Sequence, residues 1–133
     1  MLEFALVIPI FVFVLYGLIA FGMMLSAKQT ITNAAAEGAR AAVGAAPNTA
    51  AQTAAAKNKV ISAMKSYDKY DANDPNEFSA SVAPCDPNNL TSPSCITVKV
   101  LYPYSDKPLV PPAPGLGLVM PDKLSSTAVV QVS

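Results

Sequence analysis

The sequence predicts an α+β fold, in which one long N-terminal α-helix carries a small head made of a second helix and a three-stranded antiparallel β-sheet. Three observations support this prediction. No charged residue occurs from Phe4 to Ala27, helix-forming residues continue to about Ala46, and three runs of alternating apolar residues lie beyond residue 76. With 133 residues, the chain is long enough for one head of minimal size.

The uncharged segment is long enough to cross a membrane. From Phe4 to Ala27 a helix spans about 36 Å, compared with about 30 Å for a hydrocarbon core. The segment is apolar on every face and lacks the preceding basic residues of a secretory signal. We therefore expect residues 1–27 to be retained as a transmembrane or filament-core segment, with a leader already removed before Met1, and residues 28–133 to form the head.

Residues inside this segment are suited to helix packing. Pro9 removes a backbone hydrogen bond and predicts a kink or a loosened turn. Gly17 and Gly22 reduce bulk and allow helices to approach closely, although their spacing differs from the GxxxG motif. Beyond Lys28, a stripe of small and apolar residues is expected to lie against the head, and Glu37 is placed to pair with Arg40; the stripe comprises Ile31, Ala35, Gly38 and Ala42.

The head is predicted to contain a second helix over 49–67, capped by Asn48 or Thr49, and a sheet within 77–133. Pro75 ends any helix before the polar loop 71–77. The inward-facing strand residues are Phe78, Ala80 and Val82, then Ile96, Val98, Val100 and Tyr102, then Ala128, Val130 and Val132. Six prolines occupy the connection 103–121, which contains LGLVM; it is either a binding arm or a rigid loop packed on its own sheet.

Cys85 and Cys95 are the only cysteines, and they lie in a polar stretch far from the apolar segment. This pattern indicates one disulfide made in an oxidising compartment, whereas the alternative is a pair of free thiols in a cytosolic protein. A bridge closing so short a loop contributes roughly 2 to 3 kcal/mol. We expect a periplasmic or extracellular head.

Composition argues against catalysis and nucleic-acid binding. Nine basic residues balance nine acidic ones, and histidine is absent, which removes the commonest general base and metal ligand. Ser26, Ser66 and Lys28 stand in no nucleophile motif, and the loop 71–77 departs from a calcium loop at Pro75 and Asn76. We expect no enzyme activity, no cofactor and no metal.

Asn89 opens a glycosylation sequon. Four tyrosines form either a sticky surface or semi-buried core edges: Tyr67, Tyr70, Tyr102 and Tyr104.

Several stretches together resemble the TadE-like pilins of tight-adherence (type IVc) pili. They are EFALVIPIFVFVLYGLIAFG with Glu3-Phe4 and Pro9, QTITNAAAEGARAA with the run 36–40, and VKVLYPY before the proline-rich loop and last strand. The resemblance implies cleavage of a precursor by a prepilin peptidase, extraction from the inner membrane by assembly machinery, and packing with copies of itself or other pilins into an extracellular pilus used for adhesion. Members of this family are usually minor pilins. Their acidic residue usually lies five positions into the mature chain, whereas here it is Glu3.

Glu3 has a predicted role in assembly. A carboxylate buried among apolar helices requires a cation, and the nearest is the Met1 amine of the same or the adjoining subunit. In the alternative, Glu3 lies at the headgroup level near a favourable helix N-terminus. The predicted assembly residues are Met1, Glu3, Phe4, Pro9, Gly17 and Gly22. The competing functions are a membrane-anchored binding module and a minor pilin or pseudopilin at a pilus tip or in a secretion system.

Overall fold

The computed structural model describes residues 2–89, 91–111 and 120–132. Helix α1 spans Leu2–Val43 and helix α2 spans Thr49–Ala63; strands β1, β2 and β3 span Phe78–Pro84, Ser94–Tyr102 and Leu124–Gln131. The strands form one antiparallel sheet in the order β1-β2-β3. The predicted α+β fold, with its long helix, second helix and three-stranded sheet, is confirmed.

Helix α1 is continuous for 42 residues, about 63 Å at the usual helical rise. Pro9 lies inside it without ending it, and the predicted kink remains a prediction. The helix ends shortly before Pro47 and Asn48. The Asn48 side chain accepts a hydrogen bond from the Ala51 N–H at 3.0 Å and so begins α2, one of the two predicted caps.

Helix α2 is shorter than the predicted range 49–67. Met64 leaves the helical conformation, with φ −91° and ψ 6°, and single turns follow, in which the N–H of Tyr67 donates to the Met64 carbonyl at 2.8 Å. The ring of Tyr67 then meets that of Tyr102 edge-on, with centroids 5.9 Å apart. Tertiary packing therefore overrides the local helical pattern at these residues.

The sheet follows the predicted alternation. Ile96, Val98, Val100 and Tyr102 of β2 are almost completely buried, because they face the helices from the central strand. Their neighbours on β1 and β3 are half-buried and pack against the same core: Ala80, Val82, Ala128 and Val130. The two helices cover one face of the sheet, with α1 packed on β3 and β2 and α2 packed on α1 and β1.

Small side chains let α1 and the head approach closely. The buried positions recur every three or four residues along α1 and are Ala20, Met24, Ala27, Ile31, Ala34, Ala35, Ala39 and Ala42. A Cβ built on Gly38 would lie only 2.8 Å from Val60 Cγ2 and 3.3 Å from the Ala56 carbonyl oxygen. The small-residue stripe predicted from the sequence is therefore the contact between α1 and the head.

Glu37 has a different partner from the one predicted. Its Oε2 lies 3.4 Å from Lys59 Nζ on α2, and both side chains are about half exposed. Because α1 and α2 pack side by side, this contact between helices replaces the predicted pair with Arg40. An exposed pair of this kind contributes little to stability.

Candidate assembly surface

The first third of α1 is exposed in the part of the chain that the structure describes. All residues from Glu3 to Leu15 are exposed, although almost all of them are apolar. The described part of the chain contains this one helix that is long and apolar enough to cross a membrane. Exposed apolar surface of this extent marks a site of contact with lipid or with other helices.

The next part of α1 has two different sides. Ala20 and Met24 face the head and are buried. The other side remains apolar and exposed at Leu18, Ile19, Phe21, Met23 and Leu25. The apolar surface thus continues past the point where the head begins. The predicted division at residue 27 stays a prediction, but buried contacts with the head already begin at Ala20.

Of the predicted assembly residues that the structure describes, Glu3, Phe4, Pro9 and Gly22 are exposed on α1 and Gly17 is half-buried. Glu3 and Phe4 are exposed in and just after the first turn, and Phe4 is 74% exposed. Apart from the adjacent residues and backbone of α1 itself, no described atom lies within 4 Å of a Cβ placed on Gly17 or Gly22, so packing within the described chain does not require glycine at either position. The predicted pair between Glu3 and the Met1 amine involves a residue outside the described ones.

Two hydrogen bonds tie the head to the exposed side of α1. Tyr16 Oη donates to the Pro111 carbonyl, and Lys28 Nζ donates to the Ser125 carbonyl at the beginning of β3. The two contacts are about 18 Å apart along the helix. They show how far the head extends along α1 towards its N-terminus. The uniformly apolar sequence of this part of α1 did not indicate that extent.

Glu77 anchors the loop that precedes β1. Its side chain is buried, its Oε2 accepts a hydrogen bond from the Asp71 N–H at 2.8 Å, and its Oε1 pairs with Lys107. The Asp71 side chain accepts from the Asn73 N–H, and this hydrogen bond lowers the pKa of Asp71. Sequence reasoning interpreted the loop only as a polar turn and missed this buried carboxylate.

Beside this loop lies an open groove of about 600 Å³, lined by lysines and carboxylates together, including Asp74, Glu77, Lys99, Asp106, Lys107 and Lys123. No group of three or more metal-ligating side chains occurs in the parts of the chain that the structure describes. The groove therefore has neither a single sign of charge nor a set of metal ligands to define a substrate.

The predicted disulfide is present between Cys85 and Cys95, whose Cα atoms are 4.9 Å apart. It joins β1 to β2 at the base of their connecting loop, where the Cys85 N–H also donates to the Pro93 carbonyl at 2.9 Å. Asn89 is exposed in this loop, and its side chain accepts from the Thr91 N–H at 3.1 Å. Its glycosylation stays a prediction.

The four tyrosines are core edges. Tyr102 and Tyr104 are buried, and Tyr67 and Tyr70 are half-buried against the same core. Burial and the nearby carboxylates of Glu77 and Asp71 raise the pKa of Tyr70.

Of the proline-rich connection, the structure describes residues 103–111 and 120–121, and most of the LGLVM run lies outside the described residues.

Residues 1–40 match the model of a family described as TadE-like protein. The match confirms the resemblance over the N-terminal segment, where Glu3-Phe4, Pro9 and the run 36–40 lie. No curated protein and no solved structure has significant similarity to the chain. The family match and the apolar helix together indicate a pilin-like protein associated with Tad pili, located at a membrane or cell surface.

Proposed function

We propose that this chain is a structural pilin subunit, held in the inner membrane by α1 and then packed through the same helix into an extracellular Tad-type pilus that adheres to surfaces. The observation that carries this proposal is the exposed apolar surface from Phe4 to Leu15 on a helix whose far end is buried in a folded head. Such a helix can exchange lipid for neighbouring helices with little change in hydrophobic burial, so close packing has to drive assembly.

Gly17 and Gly22 support packing between subunits. Glycine within a helix interior costs about 1 kcal/mol relative to alanine, and a Cβ at either position would meet no described atom beyond the adjacent part of α1. In the proposed filament, the helix of a neighbouring subunit approaches at these glycines. Prepilin peptidase and the inner-membrane assembly machinery are the expected partners, and no catalytic activity is assigned to the chain.

The proposal is tested by shearing cells that produce the protein. A pilin subunit leaves with the fibre fraction, and electron microscopy of that fraction then shows whether this chain forms the bulk of the fibre or a minor part of it. A chain that stays entirely with the membrane after shearing would instead be an anchored binding module. In the described part of the chain, the surface available to that second candidate is the open polar groove beside the 71–77 loop, whose mixed charges define no ligand.

Glu3 provides a second test at the level of assembly. We expect a Glu3→Ala subunit to enter the membrane normally but to assemble more slowly, because the Met1 amine in the filament core then lacks its carboxylate. Glu37→Ala is the matched control, since it removes a carboxylate from an exposed pair near the other end of α1. Normal assembly of the Glu3 variant would show that this carboxylate merely lies at the headgroup level.

A further inference from the structure

The contact of the head nearest the N-terminus of α1 lies within the stretch of helix that a hydrocarbon core would cover. If Phe4 marks the start of a hydrocarbon core of about 30 Å, the core ends about 20 residues later, near Met24. The Tyr16 hydroxyl, which holds Pro111, then lies about 12 Å inside the outer boundary, within the outer leaflet. Tyrosine side chains on a helix also point towards its N-terminus. The Tyr16 hydroxyl, and Pro111 with it, therefore lies at least as deep in the outer leaflet as the Tyr16 backbone.

Thinning of the bilayer would remove this overlap only at a cost. The free part of the helix, residues 3–15, is only about 20 Å long, which is about 10 Å short of the hydrocarbon core. Mismatch costs a fraction of a kcal/mol per Å, and tilting the helix makes the free part still shorter along the membrane normal. A mismatch of about 10 Å therefore costs on the order of several kcal/mol, which contact between lipid and an apolar part of the head avoids.

The sequence around Pro111 has suitable chemistry for this depth. No charged or hydrogen-bonding side chain occurs from Pro108 to Pro121, and five of these residues are prolines, which have no backbone N–H to satisfy. The exposed Pro111 has its carbonyl satisfied by Tyr16, as a backbone oxygen in lipid must be. Leu109, Val110 and Met120 pack on the head and hold both ends of the segment in place.

Charged residues flank this segment on both sides. Asp106 and Lys107 precede it, Asp122 and Lys123 follow it, and the Ser105 N–H donates to the Asp122 carbonyl at 2.9 Å, which holds the two sides together. From Lys107 to Pro111 the chain can extend at most about 14 Å. When Pro111 is about 12 Å deep, these flanking charged residues can therefore remain at the headgroup level.

We propose that the exposed Pro111, together with the partly exposed Leu109 and Met120, forms a second membrane-contacting element that enters the acyl chains of the outer leaflet beside α1 before the subunit is assembled. The inference rests on the proposed function, because it requires α1 to span the membrane. Its partner is lipid hydrocarbon, which recognises the element by its lack of charge and of free hydrogen-bond donors. The head is consequently seated in the membrane and has to leave it together with the helix.

The chain has no tryptophan, so a single introduced tryptophan reports on one position. We would place full-length Pro111→Trp, Phe13→Trp and Ser81→Trp variants in phosphatidylcholine vesicles whose acyl chains carry bromine, a contact quencher of indole fluorescence. Phe13 is an exposed position in the membrane segment, and Ser81 is an exposed position on β1. The proposal expects Pro111→Trp to lose fluorescence to a similar extent as Phe13→Trp, and severalfold more than Ser81→Trp.

Each outcome decides between the two proposals. Quenching at Phe13 with Pro111 no more quenched than Ser81 overturns this inference and leaves the membrane anchor intact. Absence of quenching at Phe13 overturns both. Should Pro111→Trp disturb the head, shown by an altered unfolding midpoint, Met120→Trp reports from the other end of the segment, and quenching there like that of Ser81 overturns the inference equally.

Discussion

Gly38 lies where α1, α2 and β2 meet, and a methyl group there would overlap Val60 Cγ2. We expect Gly38→Ala to lower the free energy of unfolding relative to Gly17→Ala by about 1–3 kcal/mol, the usual cost of an overpacked core. Both changes gain the same helix propensity, so their difference isolates the steric effect. Urea unfolding in detergent measures it. Equal stability of the two variants would mean that Val60 moves aside without cost.

Tyr102 and Tyr104 are both buried, but their hydroxyls differ in environment. Tyr102 Oη donates to the Lys107 carbonyl at 2.9 Å, whereas Tyr104 Oη has no hydrogen-bond partner among the described residues. We expect Tyr102→Phe to destabilise the head by about 1 kcal/mol and Tyr104→Phe to stabilise it by about the same amount. Unfolding curves of the two variants give the signs, and loss of stability in both would contradict the prediction for Tyr104.

Alkaline pH should destabilise the head through Tyr70 and Tyr102. Burial, followed by the charge of Glu77, raises the pKa of both phenols, so the folded head favours their neutral forms. In the unfolded chain they ionise near pH 10, and the stabilisation present below about pH 10 is lost as the pH rises above it. Urea midpoints across this range measure the loss. Tyr70→Phe should reduce the slope, and an unchanged slope would exclude Tyr70 as a source.

At the scale of elements, the disulfide closes the loop between β1 and β2. Replacing both cysteines with serine should lower the free energy of unfolding by about 2–3 kcal/mol, because the unfolded chain gains freedom. A reducing agent supplies the control, since the wild-type head should then become as stable as the variant. If the two still differ under reducing conditions, the serines themselves disturb the hairpin.

At the scale of the whole molecule, the exposed and buried parts of α1 should be separable. A chain starting at Tyr16 retains every buried residue of the described core, so we expect its head to unfold cooperatively with nearly unchanged stability. A chain starting at Lys28 loses Met24 as well as Ala20 and Ala27, and should be less stable by about 2–5 kcal/mol. Equal stability of the two would place the true boundary of the head at residue 28.

Long, uniform patterns made most of the fold predictable from the sequence. An apolar segment without charge specifies a helix that cannot be exposed to water, and strict alternation specifies which side of a strand is buried, whatever surrounds it. Short-range chemistry was equally informative, as with the Asn48 cap and the pairing of the two cysteines. The family match, too, falls on the segment with the most distinctive pattern.

Only the tertiary structure decided which side of α1 the head covers and how far down it reaches. From Leu15 to Leu25 nearly every residue is apolar, so periodicity cannot distinguish Ala20 and Met24, which are buried, from Leu18 and Phe21, which are exposed. Contacts between residues far apart in the chain, such as Tyr16 with Pro111 and Glu37 with Lys59, depend on how the elements pack. The sequence by itself determined that an apolar helix carries a small disulfide-linked head. Packing decided where that head is seated, because burial depends on the neighbours a residue meets as well as on its own chemistry.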